Sequence, residues 1–242
     1  MLGIRASRAR TRKDQADLGA RFTLLRPGLT GYQRAWQLQR RTADRVRAGG
    51  APALILLEHP PTFTLGARGD TGHLLASPQA LSARGAAIIE SDRGGDITFH
   101  GPGQLVAYPI VDLRQLGVGA VSYVRGLEAT IIKALAQFGI EGARAAGRPG
   151  VWVGPAKIAA LGVRISRGVS MHGFALNVST DMSWFDAIIP CGIADAGVIS
   201  MELVLGRAPE MRDVEDAVTA AFARQFGMEP NEEPAMEAAV GR

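Results

Sequence analysis

The run from Arg93 to Ile110, R-G-G-D-I-T-F-H-G-P-G-Q-L-V-A-Y-P-I, constrains this chain more than any other stretch. Gly94, Gly95, Gly101, Pro102 and Gly103 surround an arginine, an aspartate, a threonine and a histidine. Glycine tolerates φ > 0 and lets a backbone approach a ligand, while proline fixes a turn. Ile97 and Phe99 alternate with Thr98 and His100, the period of a half-buried strand, and a second apolar run follows from Leu105 to Ile110. The expectation is strand, glycine-proline turn, strand, with Thr98 and His100 on one face and Arg93 at the approach. Such a polar group on a rigid frame suits a ligand site. The same residues also suit a hairpin with a glycine-rich turn and a solvated histidine.

Before this run, Arg21 to Arg26 alternates as a first strand, and Thr30 is placed to cap a helix from Gly31 to Ala48. Tyr32, Trp36, Ala43 and Val46 form its apolar stripe. Ala53 to Leu57 is a continuous apolar run, as in a strand buried on both faces, and Thr62 to Leu65 resumes after Pro60-Pro61. Ser77-Pro78 opens a brief helix that ends near Gly85, and Ala86 to Glu90 leads into the central run. Further on, Val121, Val124, Ile131, Leu135 and Phe138 predict a helix stopped by Gly139. Strands follow over Val151–Val153, Lys157–Ile165 and Val169–Val178, the last two joined by an Arg167-Gly168 turn, and a final helix runs over 211–226 with Val214, Val218, Ala221 and Phe222 inward. Strands arriving in groups rather than alternating with helices predict an α+β (α/β) fold, a mixed sheet with flanking helices. One domain over 21–228 is expected, with a basic, disordered arm over 1–20 and a disordered tail over 229–242.

Composition narrows the chemistry. With 47% hydrophobic residues the chain can fill a real core, and no apolar run approaches a membrane span. Without a secretory leader the chain is read as cytoplasmic. A single cysteine, Cys191, excludes an internal disulfide and any multi-thiolate metal site, and the four histidines lack metal-ligand spacing, so no metal is assigned. A net charge of +4 favours an acidic partner. With aromatics at 6% and no basic stripe among them, an acidic protein fits better than nucleic acid. No G-x-S-x-G, dinucleotide or phosphate-loop motif is present, so neither ATP nor NAD is expected as a cofactor. Only Lys13, Lys133 and Lys157 are lysines. Lys157, in an apolar segment of an arginine-preferring chain, is a candidate for proton transfer, which arginine cannot perform, or else an edge-strand lysine that discourages aggregation. Cys191, between Pro190 and Gly192, is either a nucleophile with room for a carbonyl beside it or a buried, inert thiol.

Four blocks taken in order, R-G-G-D-I-T-F-H-G-P-G-Q, P-G-V-W-V-G-P-A-K-I-A-A-L-G-V-R-I, H-G-F-A-L-N-V and P-C-G-I, resemble the lipoyl(octanoyl) transferases of lipoate biosynthesis. The resemblance spans about Arg21 to Phe226. It implies the fold of the biotin/lipoate protein ligase catalytic domain and transfer of octanoyl from acyl carrier protein to a lysine. The acceptors would be lipoyl domains of 2-oxoacid dehydrogenase complexes and the glycine cleavage H protein. It implies Cys191 as acyl-thioester nucleophile and Lys157 as the residue lowering its pKa. The acyl group would be held by Arg93, Gly94, Gly95, Asp96, Ile97, Thr98, Phe99 and His100, by Ala160, Leu161 and Gly162, and by Gly173, Phe174 and Ala175. An ATP-dependent lipoate or biotin ligase, a cysteine thioesterase and a non-enzymatic acyl-binding protein are the competing readings.

Overall fold

The computed structural model describes residues 20–189 and 197–232. Eleven strands among them build two sheets. The larger contains β1 (Ala20–Leu29), β2 (Ala53–Glu58), β6 (Gln104–Ile110), β7 (Ala143–Ala145), β8 (Arg148–Val153), β9 (Ala156–Ser166), β10 (Val169–Asn177) and β11 (Met228–Glu232), in the order β11-β1-β2-β6-β10-β9-β8-β7. β1 runs parallel to both of its neighbours, and the remaining pairs are antiparallel. The smaller sheet holds β3 (Thr62–Leu65), β4 (Ala87–Glu90) and β5 (Ile97–His100), in the order β4-β3-β5. This is the mixed sheet with flanking helices that the strand grouping predicts.

Alternation decides what each sheet face carries. In β2, Leu54 and Leu56 point into a core completed by α3 (Ala120–Ala136) and α4 (Met211–Phe226). Ile55 and Leu57 point oppositely, toward α1 (Tyr32–Arg47) with its Ala35, Ala43 and Val46. β2 is therefore buried on both faces, as its unbroken apolar run requires. In β5, Ile97 and Phe99 enter a third core with Phe63, Leu81 under α2 (Pro78–Ala83), and Phe185. Thr98 and His100 consequently face the other way.

Several expectations need correction. The strands on either side of Gly101-Pro102-Gly103 do not pair with each other: β5 belongs to the small sheet and β6 to the large one, so the turn hands the chain between sheets. Gly103, at φ +81°, donates its N–H to Glu58 at 2.6 Å. Thr30 is not the helix cap: Gly31 holds that position, and the Thr30 hydroxyl donates to the Gly28 carbonyl at 3.2 Å. Val121 is 77% exposed, and the inward stripe of α3 is Tyr123, Leu127, Ile131, Ala134 and Leu135. Residues 229–232, assigned to a disordered tail, extend strand β11 alongside β1. Ala20, assigned to the arm, begins β1, while residues 1–19, Cys191 and residues 233–242 lie outside the described residues. No described helix is long and apolar enough to cross a membrane.

Candidate active site

Where β9 and β10 face β5, a narrow cleft runs between the two sheets. Arg93, Gly95, Thr98 and His100 line one side, and Ala160, Leu161, Gly162, Gly173, Phe174 and Ala175 line the other. Tyr32, Tyr108 and His172 also line it, and its empty space, open mouth included, is about 450 Å³. A second cavity of about 310 Å³ shares Thr98, Ala160 and Ala175 with it and reaches Lys157, Asn177 and Phe185. The two form one trough along β9. From Lys157 to Gly162 it follows five residue steps, about 16 Å of strand.

Lys157 begins this trough and is only 7% exposed. It sits opposite Trp152 in the β8–β9 register, its ammonium 4.9 Å from the indole centroid. The lysine stem runs beside Gly150, where an added Cβ would come within 3.2 Å of its Cε. Gly150 in turn donates its N–H to Glu128 at 3.3 Å, a 1% exposed carboxylate that also accepts from Arg125 and Arg144. The Lys157 backbone is tied as well: its N–H donates to Gly197 at 2.8 Å, and its carbonyl accepts from Ile199 at 3.1 Å. Gly197 is the first described residue beyond Cys191. On the near side, Ile189 donates its N–H to the His73 carbonyl at 2.8 Å.

At the other end lies a group of imidazoles and phenols. His59 donates from Nδ1 to the Thr30 carbonyl at 2.5 Å and accepts the Tyr108 hydroxyl at 2.7 Å. Burial pushes its pKa down to about 4. Burial likewise holds His100 well below the usual histidine range, helped by the neighbouring His59 ring and the Arg93 cation, each of which disfavours a proton on His100. The Arg93 guanidinium itself donates to the Thr64 hydroxyl and carbonyl at 2.6–3.0 Å and to the Gly94 carbonyl at 3.1 Å. His172 is depressed by burial against the opposing pull of Asp92, whose carboxylate lies 2.7 Å from Nε2. These imidazoles are therefore neutral at neutral pH. Among the described residues no cluster of three histidine, cysteine or carboxylate side chains could hold a metal ion.

Residues 31–223 match the family model of the lipoyl protein ligase A/B catalytic domain. The chain belongs to that family. Within it, the chain is 50% identical over 210 residues to the octanoyltransferase of Chloroflexus aurantiacus, covering 85% of this chain and 94% of that one. It is 49% identical over 204 residues to the octanoyltransferase of Rubrobacter xylanophilus, covering 83% and 91%. A solved lipoate-protein ligase A bound with ATP superposes with a TM-score of 0.72 at 16% identity over 88% of each chain. The Thermoplasma acidophilum bi-partite lipoate protein ligase gives 0.70 at 17%, covering 89% and 87%. These two likenesses establish the lipoyl protein ligase fold.

On this family fold the residues singled out from sequence divide into two groups. Arg93, Gly95, Thr98, His100, Ala160, Leu161, Gly162, Gly173, Phe174 and Ala175 share the cleft, and Lys157 stands at its end. Ile97 and Phe99 are not in its lining but in the core behind it. Asp96 accepts from His73 Nδ1 at 2.5 Å and from the Asp70 N–H at 2.9 Å, pinning the loop after β3. Gly94 bonds to the Val163 carbonyl across the sheets at 3.2 Å. Sequence reasoning passed over Tyr108 and Gln39. Gln39 did leave a signal, a polar side chain inside the apolar stripe of α1, and it is fully buried.

Proposed function

We propose that this chain is an octanoyl-[acyl carrier protein]:protein N-octanoyltransferase. It takes octanoyl from acyl carrier protein onto Cys191 as a thioester, then passes it to a lysine of a lipoyl domain. Acceptors are the lipoyl domains of 2-oxoacid dehydrogenase complexes and the glycine cleavage H protein, all met in the cytoplasm. The names of its relatives support an acyltransferase. The observation that carries the reading is Lys157: a buried ammonium at one end of an apolar trough, its backbone bonded to the first described residue after the Cys191 stretch.

The chemistry balances without ATP. Lys157 favours the thiolate of Cys191, whose pKa in such surroundings falls from ~8.5 to roughly 3.5–7.5. The thiolate attacks the donor thioester carbonyl, the C–S bond to the carrier breaks, and the released carrier thiolate takes its proton from the Lys157 ammonium, leaving that lysine neutral. One thioester replaces another of similar energy. The neutral amine of the acceptor lysine then attacks the acyl-enzyme, an amide forms, the Cys191 sulfur leaves as thiolate, and the now neutral Lys157 takes the amine's proton and regains its charge. The trough holds the aliphatic chain between Thr98, Ala160 and Ala175.

The test is octanoyl transfer from a carrier protein to a lipoyl domain with ATP omitted. Full activity without ATP supports the transferase. Activity only with ATP and free acid makes the chain a ligase, and octanoate released to water makes it a thioesterase.

A further inference from the structure

His172 lines the cleft, Gln39 and Trp36 stand next to it outside the lining, and all three carry polar atoms that the transfer chemistry does not use. His172 Nδ1, Gln39 Nε2 and Trp36 Nε1 are buried and, among the described residues, have no hydrogen-bond partner. They belong to one neighbourhood. Gln39 Oε1 accepts the backbone N–H of His172 at 2.8 Å, and the Trp36 and His172 rings lie 6.0 Å apart. Trp36 and Gln39 share a face of α1, being three residues apart. Arg40 covers the outer side of the indole at 4.2 Å.

Their roles follow from their partners. Asp92 is held ionised, first by its hydrogen bond from His172, and it also accepts from Arg164 at 2.5 Å. It can only accept, so His172 Nε2 carries the proton and the neutral ring leaves Nδ1 as a bare acceptor. The bond to the His172 N–H fixes the Gln39 amide with its oxygen inward, so Nε2 is a donor without an acceptor. Trp36 Nε1 is a donor only. The neighbouring phenols are already satisfied, Tyr108 by His59 and Tyr32 by Ser91 at 2.7 Å. His172 lines the cleft and is 1% exposed. It also holds φ +55°, which a side chain with Cβ adopts at a cost and which marks a residue kept for what its side chain does.

One acceptor and two donors call for a group that both donates and accepts. We propose that the far end of the cleft recognises an acyl chain bearing a hydroxyl near its end, the O–H donating to His172 Nδ1 and the oxygen accepting from Gln39 or Trp36. This rests on the cleft being the acyl site. A purely apolar cleft end would penalise such a hydroxyl, because its bonds to water would go unreplaced. Here the hydroxyl instead completes His172 and one of the two donors beside it.

The experiment measures binding of free fatty acids to the full chain near neutral pH by titration calorimetry. Octanoic and decanoic acids are compared with their ω-hydroxy counterparts, and each hydroxy acid is competed against octanoate. For at least one length the hydroxy acid binds roughly three- to tenfold tighter than its parent, the worth of one net buried hydrogen bond. In Trp36→Phe and Gln39→Leu that ratio falls to one or below, with melting temperature recorded for each variant. The readout is a ratio on the same protein, so a folding loss common to both chains cancels. Hydroxy acids that bind more weakly than their parents at every length overturn the inference, as does a ratio unchanged in both variants. If no acid binds at all, the acyl reading of the cleft fails first.

Discussion

Trp152 and Lys157 are direct cross-strand partners in the β8–β9 pair, and the lysine ammonium stands 4.9 Å from the indole centroid. Residues opposite each other in a sheet project from the same face, so the contact is set by register. Its chemical meaning lies in what it avoids. No carboxylate pairs with Lys157 among the described residues. An indole face holds a cation in place without neutralising it. The charge stays available to the thiolate proposed at Cys191.

Lys157→Ala should remain folded and lose transfer by about 10²-fold or more, the usual worth of a positioned acid–base group. The apparent pKa of Cys191 should rise, seen as a shift to higher pH in its alkylation rate. Superimposable profiles in wild type and variant would remove the pairing. Lys157→Arg should fail too, since guanidinium does not give up its proton and must fit between Gly150 and Trp152.

Gly150→Ala tests the sleeve around that lysine. At φ +134° a side chain is strained, and its Cβ would lie 2.9 Å from the Ala159 carbonyl. A loss of about 1–3 kcal/mol by chemical denaturation is expected, with transfer reduced further than the folded fraction explains. Gly154→Ala is the control on the same hairpin: φ is +56° but nothing lies within 4 Å. It should lose only ~1–2 kcal/mol of stability and keep its specific activity.

His59 makes the fold acid-sensitive. Its folded pKa of about 4 lies below the ordinary value of 6.5. Above pH 6.5 the ring is neutral in both states and has no effect on the slope. Between 6.5 and 4 the unfolded chain binds a proton that the folded one refuses, so stability falls with falling pH, by about 3 kcal/mol in all. Below 4 its contribution levels off. Unfolding free energy against pH should flatten over this window in His59→Gln, and an unchanged slope would discard the assignment.

Incubation with octanoyl-carrier protein and no acceptor should strand the enzyme halfway. Intact mass should show one added octanoyl unit, removed by neutral hydroxylamine and lost when a lipoyl domain is supplied. Cys191→Ala should show none and should not transfer. There is no second cysteine to confuse the assignment. Full activity in Cys191→Ala would end the mechanism.

Much of the cleft was legible because period-two alternation is a local rule. Thr98 and His100 had to face away from Ile97 and Phe99 whatever sheet held them. Sheet membership was not legible, because a glycine-proline turn reads the same whether its strands pair or part. The glycines carried a different meaning from the one assigned to them. The sequence suggests that they let backbone approach a ligand, yet a Cβ on Gly173 would strike the Ala107 carbonyl, and one on Gly162 would lie 2.7 Å from the Gly94 carbonyl. Their bareness lets backbone meet backbone. Strand β11 escaped notice because Pro230, Asn231 and Glu232 have no strand character of their own and are ordered by β1.

The handover at Gly101–Gly103 bears on how a ligand enters. Because β5 and β6 lie in separate sheets, the cleft is a seam rather than a hole through one hydrogen-bonded surface. Within either sheet, widening a gap would break ladder bonds in rows. Across the seam, contact is made by side chains and by isolated links such as Gly94 to Val163. The two sheets can therefore part by a small rigid rotation while each keeps its own ladder whole. Such compliance would fall along the line where the proposed acyl chain has to slide in.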